Sequence, residues 1–422
     1  MMRNLCLAGC GLAGCAALVA WAPAAHAEVT GSVSTALRYD DNVFALPADD
    51  QPAGLNRSDT VYTGNAELDA VFKPAGYTLD LAAGASYEGY ARNSGYNNLG
   101  YAIQLTSTAP TDRTVAVGGE LTARRQLSNF ASLGLPIRDV QTLVDLEPQV
   151  AVKLAGELVV TAIPVYTRST NTAALFSAYS YERYGGSLGL GWHTPLGNRI
   201  DLTFTDRETR GLGDRLIQIG ESVVNQPTNL RDRSIDLRLH YQITPITSVN
   251  ATASYVWRHD RTALAHTFSA PFGEAGVRFE PSERLKIGAN FGWRMETVDE
   301  LFVDSVRTAY ANVTATMLLG EHWRLSGRFD YNRRKFEADQ LALVNSYSLG
   351  LADRSDHFYR SEAALTYGLS SRFAVSANFA HETRSSTYHF ANFRENIAQI
   401  SLIYSFGAHP ETLTNTLAGQ VQ

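Results

Sequence analysis

The chain has 422 residues and a formal net charge of −6, and 18% of its residues are charged. An average soluble domain carries about 25% charged residues, so this chain is poor in ionic groups for its length. The acidic balance excludes a nucleic-acid partner, because no basic surplus is available to displace counterions from phosphates. The mean hydropathy of −0.16 is too polar for a bundle of membrane helices.

The first 27 residues have the pattern of a secretory signal peptide. Arg3 supplies a short positive region, residues 5–21 form an apolar run, and Ala25-His26-Ala27 places small residues at a cleavage site. We therefore expect export and cleavage after Ala27, which removes every cysteine of the chain. The alternative is a lipoprotein signal, because Leu-Ala-Gly-Cys boxes end at Cys10 and at Cys15.

From Glu28 onwards the chain repeats segments of about ten residues in which apolar and polar residues alternate. In residues 285–293 the odd positions are apolar and the even positions are polar or small, and residues 235–243 and 373–379 follow the same rule. The length and the alternation are those of tilted membrane-spanning strands. They predict an all-β fold, a transmembrane antiparallel up-and-down barrel of about 16 to 18 strands over residues 28–406, with eighteen favoured.

Short clusters of Pro, Gly, Asn, Asp and Ser join the predicted strands in pairs, and longer polar segments separate the pairs. The longest segments predict loops at residues 41–60, 211–230 and 338–356. Short turns on one side and long loops on the other are typical of outer-membrane barrels. The predicted turns lie at residues 73–76, 109–112, 154–157, 195–198, 244–247, 281–283, 319–322 and 370–372.

The last alternating segment carries the most specific signal. Ile400, Leu402, Tyr404 and Phe406 alternate with polar residues, and the run ends on an aromatic residue. This segment resembles the C-terminal signal by which bacterial barrel proteins are recognised for insertion, and it assigns that role to Tyr404 and Phe406. Residues 407–422 extend beyond it and predict a periplasmic tail.

The alternation assigns one face of each strand to lipid and the other to the lumen. Trp192, Trp257, Trp293 and Trp323 lie near predicted strand ends, where an aromatic girdle is expected, and buried core aromatics are the alternative. The predicted lumen is acidic on the early strands and basic on the late strands. Such walls set the selectivity of a water-filled pore, unless the charges only pair across strands and hydrate the lumen. The candidate lumen-lining residues are Glu67, Asp69, Glu120, Arg238, His240, Arg258, Lys286, Arg294, Arg324, Arg328, Asp330, Arg334, Arg360 and Glu362, with Asp80, Glu88, Asp145 and Glu147 as further acidic positions.

The sequence contains no catalytic or metal-binding arrangement that predicts an enzyme. The ten histidines are scattered, and the chain has no His-Glu-x-x-His zinc motif and no Walker-type phosphate loop. His259-Asp260 and His381-Glu382 are adjacent pairs, and adjacent strand residues point to opposite faces. We expect no enzymatic activity, no metal and no cofactor.

A short motif near the predicted mature N-terminus carries a family resemblance. Tyr39-Asp40-Asp41-Asn42 is followed by Phe44, Leu46 and Pro47. A first strand that runs into this loop resembles the EpsL-type outer-membrane proteins of exosortase-associated exopolysaccharide clusters, which belong with the β-barrel porins. The resemblance implies a role in exporting or assembling an extracellular polysaccharide. The residues themselves predict a strand end, an Asx-type turn and a Pro stop, with an acidic pair that binds a cation or, as we expect, is solvated in the loop.

The sequence therefore predicts an outer-membrane pore for which three functions stay open. Exopolysaccharide export is favoured by the motif and by a basic lumen wall, which suits an acidic polymer. A general diffusion porin needs the same lumen without the motif, and a non-transporting scaffold or adhesin acts through the long loops. The expected partners are outer-membrane lipid, the barrel-insertion machinery, a hydrophilic solute or polysaccharide, and periplasmic export components.

Overall fold

The computed structural model describes residues 28–50, 54–109, 113–130, 136–219, 222–261, 267–296, 303–338 and 354–407. The predicted signal peptide, most of the loop predicted at residues 338–356 and the tail beyond residue 407 lie outside these ranges. Within the described chain, no helix has the length and apolar character needed to cross a membrane.

The described chain forms eighteen antiparallel strands, and the predicted fold class and strand number are confirmed. Four short 3-10 turns accompany them, at Pro74–Gly76, Ser94–Tyr96, Ala174–Tyr179 and His389–Ala391. The strands are β1 (Glu28–Asp40), β2 (Asp59–Phe72), β3 (Thr78–Tyr90), β4 (Asn98–Thr108), β5 (Val115–Leu127), β6 (Val140–Lys153), β7 (Leu158–Asn171), β8 (Tyr181–His193), β9 (Arg199–Ile219), β10 (Ser222–Thr244), β11 (Thr247–Asp260), β12 (Thr267–Ser282), β13 (Leu285–Glu296), β14 (Val303–Leu319), β15 (Trp323–Ala338), β16 (Ser355–Gly368), β17 (Phe373–Ser386) and β18 (Phe393–Phe406).

The sheet closes on itself between the first and the last strand. Each strand pairs with its neighbour in the chain, and β1 pairs with both β2 and β18. The pairing of β1 with β18 runs from Gly31 opposite Phe406 to Asp40 opposite Ile397. Closure matters because lipid offers no hydrogen-bond partner to an unpaired sheet edge.

The outer face of the barrel is apolar, as the alternation predicts. On β13, Phe291 is 57% exposed and Trp293 is 55% exposed, whereas Asn290 and Arg294 occupy the opposite face. In a water-soluble sheet such aromatic side chains would pack in a core, so their exposure here marks a surface that faces lipid.

The four tryptophans singled out in the sequence are exposed on this outer face, between 39% and 55%. Trp192 and Trp323 lie at the turn end of β8 and β15, and Trp257 and Trp293 lie towards the loop end of β11 and β13. This distribution agrees with two aromatic girdles and contradicts the alternative of a buried aromatic core.

The predicted short turns lie where the strands are joined in pairs. Of the eight, only the turn at residues 109–112 falls mostly outside the described residues. Gly197 and Gly320 adopt φ values of 83° and 78°, which glycine tolerates without a steric penalty, and this explains their place in the turns between β8 and β9 and between β14 and β15.

The prediction of a loop at residues 211–230 is wrong. The chain continues there as the paired ends of β9 and β10, which extend as one hairpin to Ile219 and Ser222, with an irregularity between Pro227 and Asn229. The polar composition misled the prediction, because a strand that extends beyond the lipid has no apolar face to reveal it.

The C-terminal aromatic residue packs against the closing seam. Phe406 lies opposite Gly31, and a Cβ on Gly31 would lie 2.5 Å from the Cζ of the Phe406 ring. Tyr404 stacks near Phe373 of β17 at a ring distance of 4.9 Å. The predicted insertion signal therefore also covers the first strand at the turn end of the barrel.

Replacement of Phe291 by arginine tests the assignment of the two faces. The charged side chain would enter hydrocarbon, so we expect the free energy of unfolding to fall by about 2–4 kcal/mol. The adjacent Asn290→Arg change points into the barrel, and its expected cost is below about 1 kcal/mol. Denaturant titration of the barrel in lipid vesicles measures both, and equal costs would contradict the assignment.

Candidate pore lining and constriction loop

The strand register places all fourteen candidate lumen residues on the face opposite to the exposed apolar side chains. Asn290 lies opposite Asn312, Asn312 opposite Asp330, Asp330 opposite Arg360, and Arg360 opposite Glu382. Residues that pair across antiparallel strands share a face, so this row runs along the inner wall. That these residues contact a solute stays a prediction.

The inner wall of β2 to β6 is acidic. Glu120 on β5 lies directly opposite Glu147 on β6, a placement that is unfavourable for two like charges unless polar neighbours or a solute compensate. Glu120 accepts hydrogen bonds from Gln104 at 2.7 Å and from Thr122 at 3.2 Å. In the described part of the chain, no Arg or Lys forms an ion pair with Asp69, Asp80, Glu120, Asp145 or Glu147.

Three lumen cations also make no ion pair with the described residues: Arg238, Lys286 and Arg324. The Nε atom of Arg324 is buried and has no hydrogen-bond partner. Eight strands lie between β15, which carries Arg324, and β6, which carries Glu147, in either direction around the eighteen-strand ring, so the two lie on opposite walls. Negative and positive side chains that form no ion pair with the described residues thus face each other across the lumen, and the charges of Arg207 and Arg238 act on Glu147 from a longer distance.

Other candidates pair within the wall, as the alternative interpretation proposed. Arg258 binds Asp232 through two hydrogen bonds of 2.7 and 2.9 Å. The remaining contacts join Arg328 to Asp330 at 2.6 Å, Arg360 to Glu362 at 3.0 Å and to Glu382 at 2.6 Å, His240 to Asn250 at 2.6 Å, and the Arg294 guanidinium to the Tyr310 ring at 4.8 Å. The predicted basic wall is therefore partly neutralised towards the loop end.

The remaining candidates are placed by their register partners. Glu67 lies opposite Ser32 and Gly84, Asp69 opposite Thr30 and Ala82, and Arg334 opposite Thr308 and Asp356. Asp80 and Glu88 on β3 and Asp145 on β6 share the same inner face.

Three buried carboxyl groups come together at the loop end of the barrel, and the sequence analysis did not predict this cluster. Asp40, Glu382 and Glu395 are 3%, 8% and 8% exposed. Glu382 lies opposite Glu395, and Asp40 lies opposite Ile397, two residues from Glu395 on the same strand. Only the pairing of β1 with β18 brings these residues together, and the alternation alone does not reveal it.

The family-like motif begins with the predicted Asx-type turn. The Asp40 carboxylate accepts a hydrogen bond of 2.9 Å from the Asn42 backbone N–H. Asn42 is fully buried, and its side-chain amide donates to the carbonyl oxygens of Leu46 and Arg394 at 2.9 and 3.0 Å. The Asp41 carboxylate accepts from the Asn396 backbone and side chain at 2.7 and 2.6 Å. The expectation of a solvated acidic pair is wrong for Asp40, because that carboxylate is buried.

The apolar residues of the motif fold into the barrel mouth. Val43, Phe44 and Leu46 are buried against Val61 and Tyr90, which occupy the inner face of β2 and β3. The Phe44 ring lies 4.8 Å from the Tyr96 ring and 5.0 Å from the Phe130 ring. Residues 41–50, the constriction loop, therefore form a packed element that narrows the lumen at its loop end.

The constriction loop is also held by Arg57. The Arg57 guanidinium donates to the Pro47 carbonyl oxygen at 2.5 Å and to the Leu46 carbonyl oxygen at 3.0 Å. Tyr39, at the start of the motif, points outwards and is 51% exposed. The motif thus contributes one residue to the outer girdle and the rest to the lumen mouth.

The His381-Glu382 pair forms no acid–base unit in the described chain, and His259 bonds to Thr267 at 3.1 Å, whereas the side chain of Asp260 lies outside the described residues. His381 bonds to Asn396 at 2.8 Å, whereas Glu382 points to the other face and pairs with Arg360. Among the residues that the structure describes, no group of three or more His, Cys, Asp or Glu is arranged to hold a metal ion.

Comparison with known families gives one match. The family model described as "Putative beta-barrel porin 2" matches residues 239–406, which span β11 to β18 and the turn-side end of β10. No curated protein matches the chain.

Solved structures with a similar fold include proteins of Pseudomonas aeruginosa. OccK2 (OpdF) in complex with glucuronate is 10% identical with a TM-score of 0.46, and 90% of this chain covers 97% of that one. OpdK with vanillate is 11% identical with a TM-score of 0.44, and 90% of this chain covers 99% of that one. Glucuronate and vanillate are ligands of those two proteins. At this level of similarity, neither ligand can be assigned to this chain.

The FrpB iron transporter from Neisseria meningitidis is 8% identical with a TM-score of 0.45. This chain covers 62% of its length, with 84% of its own residues aligned. The closed antiparallel barrel of eighteen strands rests on the strand pairing of this chain itself.

Replacement of Phe44 by alanine tests the constriction loop. Removing a buried phenylalanine costs about 3–5 kcal/mol, so we expect the loop to open locally while the barrel stays folded. Hydrogen exchange of residues 42–46 and tryptic cleavage after Arg57 should both become faster. Tyr39→Ala, in the same motif but on the outer face, is the matched control and should leave both rates unchanged. Equal effects of the two changes would contradict the packed loop.

Proposed function

We propose that this porin-like barrel is an outer-membrane channel for anionic hydrophilic solutes, and that it takes part in the export or assembly of an acidic exopolysaccharide. The observation that carries the proposal is the set of oppositely charged lumen side chains, Glu120 and Glu147 on one wall and Lys286 and Arg324 on the other, that make no ion pair with the described residues. We further propose that the chain is exported by a signal peptide cleaved after Ala27 and inserted through its Tyr404–Phe406 signal.

Width supports a conducting lumen. In small barrels of about eight strands, side chains fill the interior, whereas barrels of about 16 to 18 strands leave an aqueous channel. Charged side chains on the inner face stay hydrated only if water enters, because burying an unpaired charge is costly. The side chains of Glu147 and Arg324, which form no ion pair with the described residues, therefore favour a water-filled lumen.

The positions of the free cations suit entry of a polyanion from the turn side. Lys286 and Arg324 are each the second residue of their strand, β13 and β15, next to the short turns. The short turns of outer-membrane barrels face the periplasm. A polymer arriving from the periplasm would therefore meet these cations first, and opposite charge at a pore mouth raises the local concentration of the solute.

The constriction loop lies at the other end and supports selection by size. Its apolar residues are packed rather than mobile in the lumen, and Asn42 anchors it to β18. The same motif carries the resemblance to exopolysaccharide-cluster proteins, so the residues behind that resemblance build the exit of the channel. The position of this motif at the loop-end mouth is the reason for proposing a polysaccharide, and not a small anion, as the solute.

A general diffusion porin is the second candidate. It is favoured by the paired charges of Arg258, Arg328 and Arg360, which hydrate the wall without leaving a binding group for a particular solute. Both candidates predict ion conductance, and only the first predicts a polysaccharide phenotype.

Ion selectivity tests the charged walls. In the Lys286→Gln/Arg324→Gln double variant, the acidic wall remains, so we expect the reversal potential in a KCl gradient across a planar bilayer to shift towards cation selectivity. In the Glu120→Gln/Glu147→Gln variant the basic wall remains, and the shift should have the opposite sign. Arg333→Gln, on the outer face of β15, is the control and should cause no shift. Absence of conductance in the wild type would reject a channel.

A deletion strain tests the exopolysaccharide role. Without the gene, secreted acidic polysaccharide should fall, and the wild-type chain should restore its yield and length distribution. The Lys286→Gln/Arg324→Gln variant should restore them only in part. Unchanged polysaccharide in the deletion strain, together with normal conductance of the pure protein, would reject export and leave the general porin.

A further inference from the structure

The outer face of β7 to β11 changes abruptly from apolar to charged towards the loops. One cross-strand row is apolar throughout and consists of Ala162, Leu188, Phe204, Ile235 and Tyr255. The next outward-facing row towards the loops contains Asp206 and Arg233. The row after that contains Glu208 and Arg231. The change marks the height at which the outer surface leaves hydrocarbon and meets headgroups.

This charged area, the outer arginine patch, comprises five arginines and three carboxylates. Tyr166 and Tyr184 border it from below, and His259 on β11 lies opposite Arg231 at its edge. Its members are Arg168, Glu182, Asp206, Glu208, Arg210, Arg231, Arg233 and Arg261.

Two of the three carboxylates are fully engaged within the patch. Asp206 accepts two hydrogen bonds from Arg231, at 2.8 and 2.5 Å, and one from Arg233 at 3.3 Å. Glu208 accepts from the Tyr184 hydroxyl at 2.7 Å and from Arg261 at 2.9 Å. These contacts fix the patch in shape and leave its positive excess on the arginines.

The positive excess is concentrated on Arg168 and Arg210. They flank Glu182 in one cross-strand row and are 54% and 60% exposed. Their ion-pair distances are long, 3.5 Å from Arg168 to Glu182 and 4.0 Å from Arg210 to Glu208. Arg210 also donates to the Tyr184 hydroxyl at 3.2 Å, and because a guanidinium has five N–H donors, both exposed groups keep donors for an external acceptor.

The outer face near the loops is charged in some sectors of the barrel and uncharged in others. On β2, β3 and β4, the outward residues near the loop end are tyrosines, Tyr62, Tyr87 and Tyr101, between 42% and 56% exposed. The next outward residues there are Thr60, Gly89 and Leu99, none of which is charged. Arg333 and Lys335 on β15 also lie exposed on the outer face, so the patch differs from other basic positions by the carboxylates that hold its arginines in place, and not by charge alone.

We propose that the outer arginine patch binds the phosphate groups of lipid A, the glycolipid of the outer leaflet. The argument is complementarity of charge and depth: five arginines against three carboxylates lie just above the apolar band, where anionic lipid phosphates lie, and Arg binds phosphate in a bidentate manner. The neighbouring tyrosine rings suit the interface between acyl chains and headgroups. The binding site is on the outside of the barrel, so it is independent of what the pore carries.

Binding of defined lipids to the full chain tests the proposal. The probe is hexa-acylated, doubly phosphorylated lipid A, titrated into the purified barrel in lipid A-free nanodiscs, with bound lipid counted by native mass spectrometry. The wild type should bind it, and the fully dephosphorylated form should bind at least about tenfold more weakly. Arg168→Gln/Arg210→Gln should weaken binding of the phosphorylated form by about tenfold.

Two further variants separate the site from unfolding and from general electrostatics. Glu182→Gln removes the carboxylate between the two arginines and should tighten binding, a gain that a folding defect cannot produce. Arg333→Gln/Lys335→Gln removes the same charge from the exposed outer face of β15 and should leave binding unchanged. An equal loss in this control, or equal binding of dephosphorylated lipid A, would overturn the proposal. The proposal would also be overturned if the Arg168→Gln/Arg210→Gln variant kept its lipid A binding but lost self-association. In that case the patch would be a contact between two copies of the chain.

Discussion

The need of every backbone N–H and C=O for a partner in lipid governs this molecule. A sheet in hydrocarbon satisfies that need only when it closes, and here β1 closes against β18 over ten residue pairs, from Gly31 to Asp40. Closure fixes which face of every strand points inwards. The lumen charges, the outer girdles and the packed mouth all follow from that one register, because a shift by one residue would exchange the two faces.

Alternation revealed the fold where lipid contrasts with water and failed where that contrast is lost. In β13, Phe291 and Asn290 differ sharply because one faces acyl chains and the other a wet lumen. In β12, Phe272 is buried on the inner face while Pro271 and Gly273 lie on the outer face, so the strand is weakly patterned. The β9–β10 hairpin extends beyond the membrane, where neither face needs apolar residues, and its composition therefore resembles a loop.

The sequence predicted which candidate residues face the lumen, but it did not predict which residues they contact. The alternation places Arg258 and Arg324 on the same wall, but only the register shows that Arg258 meets Asp232 and that Arg324 meets no described carboxylate. The buried group of Asp40, Glu382 and Glu395 depends on contacts between strands from opposite ends of the chain. Propensity and periodicity are local properties, and they contain no information about such a seam.

The anchoring of the constriction loop also has a consequence for the order of assembly. Asn42 and Asp41 hold this loop through Arg394 and Asn396, residues of the last strand. These contacts have a very long sequence separation, and the chain must pay the entropy of ring closure before it gains them. The contacts with β2, β3 and Arg57 can form earlier, but these anchors form only at the final step of folding, when the last strand docks. A single event therefore both seals the wall of the barrel and completes the attachment of the loop at its mouth.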